Sequence, residues 1–147
     1  MSLFASSDPT KPTEAYNVVV GDSRQSWTEV EYPHHAFQYV SKFKLAVLPI
    51  QEHIGTWKDE PRHQGAFVYH LGRAKFEHRA VLSHFNATTW DAAMWMEEQQ
   101  GSHSSGYTVI RTFTMDDTLY SVSNNVLAAS DMSGDVAVLH NAVQLIE

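Results

Sequence analysis

The chain has 147 residues, a formal net charge of −7, 43% hydrophobic residues and no Cys. This length is typical of one domain that buries about 68–70% of its unfolded surface. The negative balance, without clusters of Lys and Arg, argues against nucleic-acid binding. The lack of Cys excludes disulfides, a thiol nucleophile and thiolate metal ligands, and it fits a reducing cytoplasm.

The N-terminal residues differ in composition from the rest of the chain. Residues 1–14 are rich in Ser, Thr, Asp and Lys, and Pro9 and Pro12 disfavour a helix. We therefore expect a flexible N-terminal tail at residues 1–14 and a single globular domain at residues 15–147. No apolar run is long enough to span a membrane, and no signal region precedes the domain, so we expect a cytoplasmic protein without a membrane partner.

Short strands are predicted in the first third of the chain. The β-branched run Tyr16–Val20 and the alternating segment Trp27–Tyr32 are both typical of strands. Ala36–Leu48 has the clearest period of two and predicts a half-buried antiparallel strand that ends before Pro49, with an amphipathic helix as the alternative. A further short strand at Glu52–Trp57 and a charged loop at Lys58–Gln64 follow.

The stretch from Gly65 to Leu82 predicts a β-hairpin. Gly72-Arg73 suits a two-residue type II′ turn, and this turn pairs Tyr69 with Phe76 and Phe67 with His78. The hairpin then has one apolar face and one mostly charged face, and a slip of one residue would exchange them. The apolar face comprises Phe67, Tyr69, Leu71, Ala74, Phe76, His78, Ala80 and Leu82.

One helix is predicted at about residues 88–100. Thr88 and Asp91 form a capping signature, and Ala, Met, Glu and Gln that follow are good helix formers. Gly101 is a suitable end for the helix, and residues 101–106 form a predicted loop.

A β-meander is predicted for the remainder, with strands at Tyr107–Met115, Leu119–Ala129 and Val136–Ile146. The fold class is therefore mainly β, with α+β as the alternative. We expect seven to eight antiparallel strands in a curved sheet or small β-barrel, with one packed helix, because closure removes exposed strand edges.

Four polar residues share the inward parity of these strands. Turns at Asp116-Asp117 and at residues 130–134 pair Phe113 with Tyr120, Arg111 with Val122 and Asn124 with His140. Arg111, Asn124 and His140 then lie close together on an otherwise apolar face, and His78 lies on the apolar face of the first hairpin. Arg and Asn would hold a carboxylate or oxyanion while a His transfers a proton. We predict these four as catalytic residues, with four aromatic side chains binding substrate: Tyr69, Phe76, Phe113 and Tyr120.

For each of these residues taken singly, a structural role is the stronger interpretation. Arg111 can extend from a strand end into solvent, and a single inward His is more often a core residue than a catalyst. Nine His invite a metal hypothesis, but neither the H-x-H nor the H-x-x-x-H spacing occurs. Local spacing therefore predicts no metal site and no cofactor, while a site assembled from distant strands stays open.

Two functions from different classes follow. The first is a small-molecule-binding domain that could also act as a cofactor-independent acid–base isomerase, cyclase or lyase. Its substrate would be a small hydrophobic or carboxylate-bearing metabolite. The alternative is a non-catalytic assembly subunit of a virion or multiprotein complex, and it rests on the last strand, which is apolar on both faces. Either function allows a homodimer or a higher oligomer.

Overall fold

The computed structural model describes residues 1–5, 8–20, 26–31, 36–52, 63–72, 75–85, 106–134 and 138–145. Within these residues the chain is mainly β and all strand pairs are antiparallel, as the sequence predicts. A single turn of 3₁₀ helix occupies Glu29–Glu31. The predicted helix at about 88–100 and the loop at 101–105 lie outside the described residues.

Eleven strands occur in the described ranges, against the seven to eight predicted. They form three sheets. The N-terminal sheet contains β1 and β2, the central sheet contains β3 to β7, and the C-terminal sheet contains β8 to β11. The bounds are β1 Ser2–Ala5, β2 Thr13–Asn17, β3 Trp27–Thr28, β4 Gln38–Val40, β5 Leu45–Glu52, β6 His63–Leu71, β7 Phe76–Leu82, β8 Arg111–Met115, β9 Thr118–Val122, β10 Val126–Asp131 and β11 Val138–Gln144.

Each large sheet is an up-and-down meander. The C-terminal sheet has the order β11-β10-β9-β8, and the central sheet has the order β3-β5-β6-β7, with β4 also paired to β5. The described strands thus form open sheets, and the barrel expected from the sequence is not seen among them. The two large sheets bury apolar side chains against each other instead of closing on themselves.

The central sheet is buried on both of its faces. One face packs against the C-terminal sheet through a core that includes Val47, Val68 and Leu119. The other face carries a second core, formed by Leu48, Ile50, Phe67 and Tyr69, against which Met1, Val20 and Val30 pack. Strands β5 and β6 are consequently buried at consecutive positions over most of their length, as expected for strands with both faces covered.

Ala36–Leu48 is not one strand. The chain forms β4, turns at residues 41–44, and then enters β5, which pairs antiparallel with β4. Lys44 adopts a positive φ of 54°, and its amide donates to the Ser41 carbonyl at 3.2 Å, which closes the turn. Pro49 lies inside β5 rather than at its end. It is tolerated because β4 pairs only as far as Val47 and β3 only from Ile50, so no described strand pairs with Pro49 on that side.

The β6–β7 hairpin forms, but its predicted register is wrong. Tyr69 pairs with His78 rather than with Phe76, because residues 72–75 make a four-residue connection closed by Gly72 N–H donating to the Lys75 carbonyl at 2.9 Å. Beyond Tyr69 the register shifts again, because Arg79 is an extra residue in β7. This β-bulge moves the residues that follow it to the opposite face of the sheet.

The bulge changes which hairpin residues share a face. Val81 joins Phe67 and Tyr69, whereas Ala80 and Leu82 pack in the core between the two large sheets. The opposite face of the hairpin, expected to be mostly charged, is charged only near the turn, at residues 70–79. Further from the turn, Val68, Ala80 and Leu82 on this face pack in the core between the two large sheets.

The C-terminal meander confirms one predicted register and contradicts the other. Phe113 pairs with Tyr120 and Arg111 with Val122, as predicted, around a tight turn in which Asp116 has a φ of 52°. Leu119–Ala129, however, is not continuous. Residues 123–125 form a turn between β9 and β10, and the expected pairing of Asn124 with His140 therefore does not exist.

Part of the segment expected to be a tail pairs into a sheet. Strand β1 pairs with β2, and the amino group of Met1 donates to the Val18 carbonyl at 2.6 Å. Tyr16 on β2 contacts the ring of Phe76 on β7, with ring centroids 5.9 Å apart. The N-terminal sheet thus has a contact with the central sheet that the polar composition of residues 1–14 does not indicate.

Candidate functional site

The four predicted catalytic residues do not share an interior. Arg111 is exposed on β8, at one edge of the C-terminal sheet, while His140 lies on β11 at the other edge. Asn124 is exposed in the turn between β9 and β10. His78 is exposed on the central sheet, with its ring 5.4 Å from that of Tyr69. The structure brings none of the other three next to His78.

The four predicted substrate-binding aromatics form two separate pairs. Tyr69 and Phe76 meet edge to face, with centroids 6.5 Å apart, on the central sheet. Burial, with a smaller contribution from Glu52, raises the pKa of Tyr69 to about 12, so its hydroxyl stays protonated at neutral pH. Phe113 and Tyr120 stack with centroids 5.0 Å apart and an interplanar angle of 9°.

The Phe113–Tyr120 pair lies on a face that we call the outer face of the C-terminal sheet. Pairing registers and alternating burial place ten residues there: Arg111, Phe113, Met115, Thr118, Tyr120, Val122, Leu127, Ala129, Asp131 and Val143. Met115 is 61% exposed, Val143 is 59% exposed and Leu145, just beyond β11, is 52% exposed. The face is therefore apolar and open among the described residues.

The opposite face of the C-terminal sheet packs against the central sheet and is unexpectedly polar. Three side-chain hydrogen bonds cross from β4, β6 and the end of β7 to the C-terminal sheet or the segment leading into it. Gln38 Nε2 donates to Thr114 Oγ1 at 2.8 Å, and Gln64 Nε2 donates to the Val109 carbonyl at 3.2 Å. The third bond joins His84 Nε2 and Ser121 Oγ at 2.8 Å.

His84 is held in its neutral form by this environment. Desolvation lowers the pKa of His84 to about 4, and Ser121 is fully buried. A His–Ser pair at this distance resembles an activated nucleophile, but a hydroxyl with no exposed surface cannot reach a substrate. The hydrogen bond between His84 and Ser121 therefore connects the segment after β7 to β9. Sequence reasoning missed it, although a His two residues after β7 and a Ser within β9 were its visible signals.

Several polar atoms near these bonds have no hydrogen-bond partner among the described residues. They are Gln38 Oε1, Gln64 Oε1, His84 Nδ1, Thr112 Oγ1 and Ser130 Oγ. Ser130 and Thr112 lie on the same face as Ser121, and Ser121 pairs directly with Thr112. Three buried hydroxyl side chains therefore line the face of the C-terminal sheet that packs against the central sheet.

A charged cluster marks the β6–β7 turn. The Glu77 carboxylate pairs with Lys75, with Arg79 at 3.0 Å and with His70 at 3.3 Å. The hydrogen bond from Lys75 contributes most to holding the pKa of Glu77 below its usual value. Two cations, Lys75 and Arg79, and the His70 ring share one carboxylate at this partly exposed strand end, so these are surface ion pairs of small energetic weight.

The described part of the chain contains no group of three His, Asp or Glu residues arranged to hold a metal ion. Three possible ligands between β5 and β6, His53, Asp59 and Glu60, lie outside the described ranges. The described residues also contain no helix with the length and hydropathy needed to cross a membrane.

The family model of the beta propeller domain matches residues 1–134. The chain belongs to this family. Propellers are built from four-stranded antiparallel sheets, the blades, arranged around a central axis. The C-terminal sheet of this propeller-family chain is such a meander, and β5–β6–β7 form three strands of another. Searches of curated proteins and of solved structures found no match.

Proposed function

We propose that this propeller-family chain is a non-catalytic assembly component that binds another protein through the outer face of its C-terminal sheet. The observation that carries the proposal is the apolar outer face itself, with Met115 and Val143 each more than half exposed on strands whose other face is core. The proposal includes a cytoplasmic location, which fits a chain without Cys.

The physical reason is that a sheet buries one face and must find a partner for a second apolar face. Blades of propellers stack face to face, so each blade covers its neighbour. In this chain the central sheet has both faces covered, whereas the outer face of the C-terminal sheet has no cover among the described residues. Exposed apolar patches of this kind commonly mark protein-interaction sites.

The acid–base function expected from the sequence has lost its geometric support. It required Arg111, Asn124 and His140 on one inward face, and the turn at residues 123–125 separates them. Hydrogen bonds and charges stabilise a transition state most strongly where water is excluded. Arg111 and Asn124 are both exposed and do not provide such an environment.

A single engineered thiol tests the assembly proposal, because the chain has no native Cys. Met115→Cys places the thiol on the outer face, and Ala128→Cys places a matched thiol on the buried face of the same sheet. At a dilution where light scattering shows a monomer, we expect rapid labelling of Cys at 115 and very slow labelling at 128. Slow labelling at both positions would mean that the chain covers its own outer face, and the proposal would fail.

A second candidate is the binding of a small aromatic carboxylate on the same face. The Phe113–Tyr120 stack offers a platform, and Arg111 lies two residues from Phe113 on the same side of β8. A flat ring could stack on the aromatics while its carboxylate pairs with the guanidinium. Titration with benzoate, followed by the Phe113 and Tyr120 NMR signals, should give saturable shifts that Arg111→Gln weakens. Unchanged signals at high benzoate concentration would exclude this binding mode.

A further inference from the structure

We propose that three polar contacts between the two large sheets fix how one sheet is aligned on the other. These inter-sheet contacts are made by Gln38, Gln64 and His84, and all three side chains reach the C-terminal sheet or the segment leading into it. The proposed role is separate from the assembly function, and it does not depend on what covers the outer face.

Apolar contacts alone define such an alignment poorly. The core between the two sheets includes Val47, Leu119 and Met132, and hydrophobic contacts of this kind are non-directional. Cores that are merely apolar and of the right volume lose a unique arrangement before they lose stability. A hydrogen bond between side chains, in contrast, requires a particular distance and angle, so it fixes the positions of the groups that it joins.

The two glutamines leave the central sheet at well-separated points. Gln38 on β4 is level with Val68 on β6, because Gln38 pairs with Val47 and Val47 pairs with Val68. Gln64 lies four residues before Val68, and β5 separates β6 from β4. With strands about 4.8 Å apart and a rise of about 3.4 Å per residue, Gln38 and Gln64 are roughly 17 Å apart.

The partners on the opposing sheet are spaced to match. Thr114 and Val109, which accept from the two glutamines, are five residues apart on β8 and the segment leading into it, and this separation is also roughly 17 Å. Ser121, the partner of His84, lies on the neighbouring strand β9, so it is off the line through the other two partners. Three contacts that are not on one line fix both the slide and the rotation of one sheet over the other.

Other buried hydroxyls on the same face make no such contact. Thr112 Oγ1 and Ser130 Oγ have no hydrogen-bond partner among the described residues. A hydroxyl that joins nothing across the interface does not constrain the alignment, and its burial lowers stability. Thr112 lies two residues before Thr114 on the same side of β8. The two threonines are therefore a matched pair on one strand, one without an inter-sheet contact and one with it.

A distance measured between spin labels on the two sheets tests the alignment. The chain has no native Cys, so Ser41→Cys in the β4–β5 turn and Asn124→Cys in the β9–β10 turn place one exposed label on each sheet. Double electron–electron resonance should give one narrow distance distribution for this labelled chain. Adding Thr114→Val removes the acceptor of Gln38 and should widen the distribution about twofold or more, because one of the three fixed points is lost.

Two variants control for the change of side chain. Thr112→Val removes a hydroxyl of the same type and should leave the width of the distribution unchanged, with a urea midpoint equal to or above that of the original chain. Thr114→Ser keeps the acceptor and should retain the narrow distribution. Equal widening by Thr112→Val and Thr114→Val, or a narrow distribution in both, would overturn the proposed role of the inter-sheet contacts.

A double variant separates alignment from stability. Thr114→Val alone leaves the Gln38 amide without its acceptor, which lowers the urea midpoint. Gln38→Leu combined with Thr114→Val removes both bonding groups, so the midpoint should return towards the original value while the distance distribution stays wide. A stable double variant with a narrow distribution would show that the apolar core sets the alignment by itself, and the proposal would fail.

Discussion

Gly65 allows β6 and β7 to approach each other, and replacing it should separate them. A Cβ built on Gly65 would lie 2.6 Å from the carbonyl oxygen and 2.9 Å from the carbonyl carbon of Leu82. Ordinary van der Waals contact begins at 3.4 Å, so the methyl group of Gly65→Ala falls about 0.8 Å short. The obstructing atoms are backbone, held by the ladder that pairs Ala66 with Leu82, and they cannot rotate away.

We expect Gly65→Ala to lower the free energy of unfolding by roughly 2–3 kcal/mol, at the upper end of typical overpacking. Gly72→Ala is the matched control, because its Cβ would meet its nearest atoms, on Lys75, at 3.5 Å. That substitution should change stability by no more than about 1 kcal/mol, with a stabilising sign if the unfolded chain loses freedom. Urea denaturation of both variants measures the difference, and equal stabilities would show that β6 and β7 are not held at this separation.

Three further predictions concern single side chains. The pKa of His84 falls from 6.5 to about 4 on folding, so its contribution to stability is complete above pH 6.5 and is lost as the pH falls towards 4. Denaturation measured across this pH range should show a loss of roughly 2 kcal/mol in the free energy of unfolding, a figure discounted for partial solvent access. His84→Gln should abolish that part of the pH dependence. Leu119→Ala, at a fully buried position, should lower the free energy of unfolding by about 2–5 kcal/mol, whereas Leu127→Ala on the outer face should lower it much less. Equal losses of unfolding free energy, measured by calorimetry, would contradict the assigned faces. Lys42→Ala should change the unfolding free energy by under about 0.5 kcal/mol because its ion pair with Asp117 is exposed, and a larger loss would indicate a buried role.

Turn chemistry decided which registers the sequence could predict. Asp116-Asp117 connects two strands with two residues, and Asp tolerates the positive φ that the tight turn requires, so Phe113 faces Tyr120 as expected. Gly72-Arg73 offered the same kind of signal, but the connection uses four residues, and Arg79 then forms a bulge. Bulges are set by the tertiary surroundings of both strands, and the local sequence contains no marker for this one.

The predicted catalytic cluster depended on two assignments that the structure does not share: Arg111 was placed on the inward side of its strand but lies on the exposed side of β8, and a turn was missed. Treating Leu119–Ala129 as one strand placed Asn124 opposite His140, and every parity assignment after residue 122 inherited that error. Ser123-Asn124-Asn125 contains residue types that favour turns, and Ser123 Oγ accepts from the Val126 amide at 3.0 Å to close it. The apolar residues on both sides suggested continuity and outweighed this signal.

A different pattern in the sequence indicates the layered architecture. The runs at residues 45–50 and 65–69 are apolar at consecutive positions, whereas β8 to β10 alternate between buried and open positions. A strand without alternation must be covered on both faces, and a barrel would have exposed one of them to solvent. Two-sided burial therefore requires stacked sheets, and the cores on the two sides of the central sheet are the result.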